Sequence, residues 1–137
     1  FSEFDWAPLR YSTRAAPRRT LAGLYRISRI GVVTPLRDGM NLVAKEFVAA
    51  QSEDDPGVLI LSQFAGAAQE FTEALLVNPF DPDAIADAMH LALTMSLEER
   101  KQRHAPLREK VFRTTAQLFT RRFVEALTLR AVTRAVA

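Results

Sequence analysis

Ile30-Gly31-Val32-Val33-Thr34-Pro35-Leu36-Arg37-Asp38-Gly39-Met40-Asn41-Leu42-Val43-Ala44-Lys45-Glu46-Phe47-Val48-Ala49-Ala50-Gln51 is the stretch on which the fold turns. Its opening run, Ile30 to Pro35, is rich in β-branched residues, shows no alternation with polar ones and stops at proline, so it reads as a strand buried on both faces. From Asn41 the period changes: Leu42, Val43, Phe47, Val48 and Ala50 recur at helical spacing, and Asn41 is a good N-cap. A buried strand feeding directly into a capped helix is the first half of a parallel crossover unit.

The same grammar continues on both sides. Upstream, Leu21, Leu24, Tyr25 and Ile27 predict a helix over Thr20 to Ser28 with Thr20 as its cap. Downstream, Val58 to Leu61 reads as strand, Ala65 to Ala74 as helix, Leu75-Leu76-Val77 as strand, and Pro82 to Thr94 as a helix with Ile85, Met89, Leu91 and Leu93 turned inward. Ser52-Glu53-Asp54-Asp55-Pro56-Gly57 is a polar turn between helix and strand. Strands apolar on both faces and separated by single helices predict an α/β fold with a parallel sheet covered on both sides by right-handed crossovers.

The last third changes character. Ser96-Leu97-Glu98-Glu99 is a capping box, and Pro106 is expected to kink or divide the helix it opens. From Leu107 to Val136 the residues Val111, Phe112, Leu118, Phe119, Phe123, Val124, Leu127 and Val132 recur at helical steps and predict a long amphipathic helix that packs on another surface.

Composition bounds the possibilities. The chain has 137 residues, 48% hydrophobic and 25% charged, with no cysteine, the profile of one globular domain able to bury a core without disulfides or zinc. Thiol catalysis is excluded. Apolar runs such as Val58 to Leu61 are far too short to span a membrane, no signal peptide opens the chain, and a cytoplasmic setting is expected. Residue 1 is Phe, which suggests a piece of a longer protein. The net charge of +2 hides +5 over residues 1–37, −11 over 38–99 and +8 over 100–137. The bases are interleaved with apolar positions and lack an aromatic stacking platform, so neither nucleic acid nor a membrane is the expected partner; the oppositely charged segments are expected to fold onto each other or to face another domain.

Chemistry concentrates at Thr34 to Glu46, where a strand ends and a helix begins, the ligand edge of a parallel sheet. Gly39 allows close backbone approach or a positive φ. Asn41 as cap leaves the amides of Leu42 and Val43 as donors for an anion. Asp38 precedes the helix and Glu46 lies on it, a spacing that suits a nucleotide sugar: one acid for sugar hydroxyls, the helix N-terminus for the diphosphate, the other acid for ribose. An ordinary capped turn with a solvated Lys45-Glu46 pair accounts for these residues equally well on physics alone. His90 and His104 stand apart from any carboxylate pair and suggest no metal site, and Ser62, without a histidine at a strand end, makes no triad. Ser62 and Gln63 are expected to order Phe64-Ala65-Gly66-Ala67-Ala68, whose small residues allow close backbone approach.

Thr34 to Gln51, TPLRDGMNLVAKEFVAAQ, together with Leu61-Ser62-Gln63-Phe64-Ala65-Gly66-Ala67-Ala68 and Val77-Asn78-Pro79-Phe80-Asp81, resembles the C-terminal domain of retaining trehalose-6-phosphate synthases, from Trp6 to about His104. The resemblance implies a GT-B fold, with residues 1–106 as the C-terminal part of a Rossmann-like nucleotide-sugar domain and 107–137 as a C-terminal helix packing back on the protein. It implies transfer of glucose from UDP-glucose to glucose 6-phosphate with retention, no cofactor and no metal. It implies that Asp38 is the catalytic residue and contacts the donor sugar, that Gly39, Met40 and Asn41 present backbone groups to sugar or phosphate, that Leu42 and Val43 amides meet the diphosphate, and that Glu46 holds the ribose. The spacing from Asp38 to Glu46 also resembles that of retaining GT-B enzymes generally. In that frame Trp6 to Tyr11 is a further strand and its exit, making about four parallel strands, and Ser12 to Pro17 approaches the uracil. The family's acceptor-binding N-terminal domain and its diphosphate-neutralising Arg and Lys have no counterpart here, so the chain is expected to need that domain, with a homo-oligomer as a further candidate partner. Glucosylglycerol-phosphate synthases, pseudo-glycosyltransferases and a non-catalytic binding or regulatory module share the scaffold and stay open as alternatives.

Overall fold

The computed structural model describes residues 6–135. Its elements run α1 (Arg18–Ile27), β1 (Ile30–Val33), α2 (Leu42–Ala50), β2 (Val58–Ser62), a short 3-10 turn (Gly66–Gln69), β3 (Leu75–Val77), α3 (Pro82–Thr94), α4 (Leu97–Arg113) and α5 (Ala116–Ala135). The strands form one parallel sheet in the order β1-β2-β3, with Ile30 opposite Val58 and Ile60 opposite Leu75. The α/β class and the parallel sheet are as the sequence predicts.

The central strand explains the layering. All five residues of β2 are buried, and they divide by pleat: Leu59 and Leu61 join Phe47, Val48, Phe71 and Leu107 on one face, while Val58 and Ile60 join Val77, Ala92 and Met95 on the other. Helices α2 and α4 cover the first face and α3 the second, the double cover a parallel sheet requires because neither face can meet water.

Four expectations are corrected. Trp6 to Tyr11 forms no strand in the sheet: the described sheet has three strands, and Trp6, Leu9 and Tyr11 are exposed. Helix α1 begins at Arg18 with Pro17 as its cap residue, not Thr20; proline at a helix entry is preset to the required φ. Ala65 to Ala74 is not an α-helix but a 3-10 turn confined to Gly66–Gln69: the Gly66 and Ala67 amides bond to the loop before α2, and the bonds inside the segment are short-range turns such as Ala68 to Ala65 and Ala74 to Phe71. On α3 the small side chain of Ala92 turns fully inward beside the half-buried Ile85 and Ala88, leaving Met89, Leu91 and Leu93 exposed.

The C-terminal region also departs from expectation. Pro106 does not divide α4, which runs through it to Arg113. The break falls at Thr114, and Thr115 then caps α5 by accepting from the Leu118 amide at 3.2 Å. A proline is tolerated there at the cost of one backbone hydrogen bond, and Leu107, His104 and Arg100 keep that side of α4 buried. Phe112, Phe119, Phe123, Val124 and Leu127 are exposed; the side chain of Val132 and residue Val136 lie outside the described residues.

The charge blocks do fold onto each other. Arg100 and Arg29 both pair with Asp55, Arg108 with Glu53, and Lys110 with Glu73 at 2.6 Å. Basic α4 thus grips the acidic turn after α2. Behind it, buried His104 places Nε2 3.2 Å from the Val48 carbonyl, which lies in the last turn of α2 and also accepts from the Gln51 amide at 3.4 Å.

Candidate functional site at the carboxyl edge of the sheet

The loop between β1 and α2 is built by its own side chains. Asp38 Oδ1 accepts from the backbone amides of Met40, at 3.3 Å, and Asn41, at 3.2 Å, and its Oδ2 accepts from Asn41 Nδ2 at 2.9 Å. Asn41 adopts a left-handed conformation, φ 66° and ψ 85°, and its Oδ1 accepts from the Ala44 amide at 2.8 Å. Asn tolerates this conformation better than most residues because its short side chain bonds locally. The two side chains therefore fold the chain through a tight turn and start α2 at Leu42.

The cap leaves donors behind. An α-helix has no internal acceptor for its first amides; Asn41 takes that of Ala44, and among the described hydrogen bonds none takes the amides of Leu42 or Val43. Both residues are exposed. Two free N–H groups at a helix N-terminus, beside a carboxylate and next to an exposed glycine, are suited to a phosphate oxygen and a neighbouring hydroxyl.

The second loop, after β2, closes against the first. Asp38 and Ala65 form a parallel bridge. Ser62 Oγ accepts from the Phe64 amide at 3.1 Å, so Ser62 orders this loop as its position predicts. The two loops wall an open cleft of about 550 Å³ containing Arg37, Asp38, Gly39, Gln63 and Phe64.

The residues singled out in the sequence are not all brought to one place. Asp38 through Val43 form one continuous ledge. Glu46 is exposed on α2, four residues after Leu42 and so on the same helix face, about 6 Å along the axis. It opens onto a separate cleft of about 310 Å³ between α1 and α2, with Arg18, Leu21, Tyr25 and Ala50. Gly39 does not take a positive φ; among the described residues that conformation belongs to Asn41. An added Cβ at Gly39 meets nothing within 4 Å, so its open side faces the cleft. Arg18 and Tyr25, which share the cleft with Glu46, were not marked as site residues by the sequence, because a helix-start arginine and an amphipathic tyrosine carry no motif of their own. Among the described residues no three His, Cys, Asp or Glu side chains gather to hold a metal, and no helix is long and apolar enough to cross a membrane.

A doubly covered parallel sheet whose carboxyl edge offers a capped helix N-terminus and a carboxylate is the architecture of nucleotide-binding α/β proteins. The chain belongs to glycosyltransferase family 20, whose model matches residues 1–129. It is 54% identical over 124 residues to the trehalose-6-phosphate synthase of Sinorhizobium fredii, covering 90% of this chain and 27% of that protein. Among solved structures, the alpha,alpha-trehalose-phosphate synthase (UDP-forming) from Burkholderia xenovorans in complex with glucose-6-phosphate superposes with a TM-score of 0.88 at 48% identity, covering 93% of this chain and 28% of that one. An E. coli structure described as bound with UDP-2-fluoro glucose superposes with a TM-score of 0.86 at 50% identity, covering 91% and 28%. The chain thus spans about a quarter of the length of the relatives it matches.

Proposed function

We propose that this chain is the donor-binding segment of a retaining α,α-trehalose-phosphate synthase, which moves glucose from UDP-glucose to glucose 6-phosphate. The observation that carries the reading is the pair of free amides on Leu42 and Val43 behind the Asp38–Asn41 turn, in a chain of glycosyltransferase family 20. Residues 1–106 are read as the C-terminal part of the nucleotide-sugar domain and 107–137 as the helical segment that packs back on the protein.

In this reading the Leu42 and Val43 amides receive the diphosphate, where α2's dipole favours negative charge. Gly39, Met40 and Asn41 offer backbone to the sugar, and Asp38, the catalytic residue, accepts from its hydroxyls. Its carboxylate is held at a fixed angle by three donors, so it orients the sugar without reorganising. Glu46 accepts from the ribose, and its cleft beside Tyr25 and Arg18 has room for the base. During transfer the bond from the anomeric carbon to the phosphate oxygen breaks, the acceptor hydroxyl oxygen bonds to that carbon, and its proton leaves with the UDP phosphate. The chain's task is to stabilise charge on the departing diphosphate; no cofactor or metal enters the scheme. Acceptor contacts come from the N-terminal domain of the family, the protein works in the cytoplasm without nucleic acid or membrane, and a second copy is an admissible partner.

The test is to incubate the complete protein that carries this chain with UDP-glucose and glucose 6-phosphate and to identify the product by NMR. Trehalose 6-phosphate with both anomeric centres α is expected. Transfer only to glycerol 3-phosphate, product lacking a sugar–sugar bond, or donor binding without turnover each replaces the reading with one of its alternatives.

A further inference from the structure

We infer that Gly66 is a positioning residue for the donor loop: its missing side chain lets the loop after β2 close on the Gly39 carbonyl and hold the 38–41 backbone in its binding geometry. The inference rests on the functional reading above only for what that backbone binds. A Cβ built on Gly66 lies 1.9 Å from the Gly39 carbonyl oxygen and 2.8 Å from its carbon. Real Cβ atoms do not approach within 3.0 Å, and the obstacle is backbone rather than a yielding side chain. Any other residue at 66 must therefore push the Gly39 peptide away by about an ångström.

Gly66 sits in the middle of a seam. The Asp38 amide donates to the Phe64 carbonyl at 3.4 Å, the Gly66 amide to the Asp38 carbonyl at 3.1 Å, and the Ala67 amide to the Met40 carbonyl at 3.0 Å. The first two bonds bracket the Asp38–Ala65 bridge and extend the parallel pairing of β1 and β2, and the third ties the second loop to the Met40 carbonyl. They consume the carbonyls of Asp38 and Met40 and so fix how the intervening peptides are turned. The Met40 and Asn41 amides can then point at Asp38 Oδ1. The seam is itself anchored: Ala65 and Ala67 are buried, and Ser62 holds Phe64. Gly66 touches neither the freed amides nor Glu46, yet it sets the angle of the Asp38 carboxylate through the Gly39 peptide.

Hydrogen exchange and UDP-glucose binding, measured on the complete protein carrying Gly66→Ala, test this. The expected result is faster exchange at the amides of residues 38–41, 66 and 67 with β1, β2 and β3 protected as before. The UDP-glucose dissociation constant and donor KM should rise by about tenfold or more with a smaller change in kcat, since an ångström of misplacement is enough for such losses. Gly23→Ala, at a position where an added Cβ meets nothing within 4 Å, should leave both readouts unchanged. If Gly66→Ala fails to fold, an amide-to-ester replacement at Ala67, which removes the donor to the Met40 carbonyl and adds no side-chain atom to this buried residue, should produce the same local pattern. Wild-type exchange over residues 38–41 in a folded variant, or loosened exchange with unchanged donor affinity, overturns the inference. Loosened exchange in a protein whose wild type has no affinity for UDP-glucose leaves Gly66 as the positioning residue of the loop and sinks the functional reading instead.

Discussion

Asn41 Nδ2 donates to Asp38 Oδ2 at 2.9 Å while Asn41 Oδ1 accepts from the Ala44 amide, so one amide side chain joins the acid of the site to the first turn of the helix behind it. Both ends of the asparagine are in use. Its left-handed φ of 66° is the conformation that makes the double contact possible.

Stability should therefore separate two substitutions at this position. Asn41→Ala loses the cap and keeps a Cβ in the left-handed region without the local side-chain bonds that offset it, costing about 1–3 kcal/mol. Asn41→Gly loses the cap but relieves the backbone and should cost only a fraction of that. Urea denaturation of both variants measures the difference; equal losses would mean that the backbone conformation carries no cost.

Asp38→Asn should fold normally and lose turnover. An asparagine can still accept from the Met40 and Asn41 amides through its oxygen. It then turns an NH₂ toward Asn41 Nδ2 and the sugar, replacing an acceptor by a donor. A drop of about tenfold or more in kcat/KM is expected, the signature of lost transition-state stabilisation. A ratio within about twofold of wild type would reduce Asp38 to a turn residue.

Acid should weaken the grip of α4 on the turn after α2. The hydrogen bond from Arg100, reinforced by its charge and those of Arg29 and Lys101, holds the Asp55 carboxyl below its ordinary value of 3.8. A depressed carboxylate pKa stabilises the fold above the unfolded value and loses that contribution as pH falls through the folded one. Stability should thus decline below about pH 4 in wild type, and the part due to this site should vanish in Asp55→Asn. Parallel pH profiles for the two proteins would show that the pairing contributes nothing. Arg100 is buried with its Nε unpartnered among the described residues, so Asp55→Asn should also lower stability at neutral pH.

The 137-residue chain by itself should make no trehalose 6-phosphate and should self-associate. Transfer needs the acceptor held within reach of the anomeric carbon, and the residues proposed for that belong to another domain. Phe112, Phe119, Phe123 and Leu127 are exposed along one region, and patches of that kind are normally covered. Light scattering and a product assay decide it; a monomer at high concentration, or product from the chain alone, would contradict the account.

What the sequence made readable follows the strength of local signals. Pattern alone located β1, β2 and β3, the Asn41 cap and the start of α3, because β2 is buried on both faces and the caps carry their own hydrogen bonds. It failed where tertiary contacts overrule local preference. Ala65 to Ala74 has helical composition, yet its backbone bonds to Asp38 and Met40 and stops after a 3-10 turn. Leu91 and Leu93 suggest an inward face, yet the sheet takes Ala92. The candidate loop was marked by residue type, but the closure of Gly66 on Gly39 joins residues distant in sequence and no spacing announces it.

The central claim, that residues 38–46 bind the donor, is tested most directly by the hydrogen-exchange footprint of UDP-glucose on the complete protein and on its Glu46→Ala variant. Saturating donor should protect the amides of Gly39, Leu42 and Val43 in wild type. Glu46→Ala should leave stability unchanged, since Glu46 is exposed. The variant should need about tenfold or more additional donor for the same protection, each charged hydrogen bond to ribose being worth roughly 1.5–3 kcal/mol. A footprint that misses the Leu42 and Val43 amides, or an unchanged donor requirement in folded Glu46→Ala, would contradict the account.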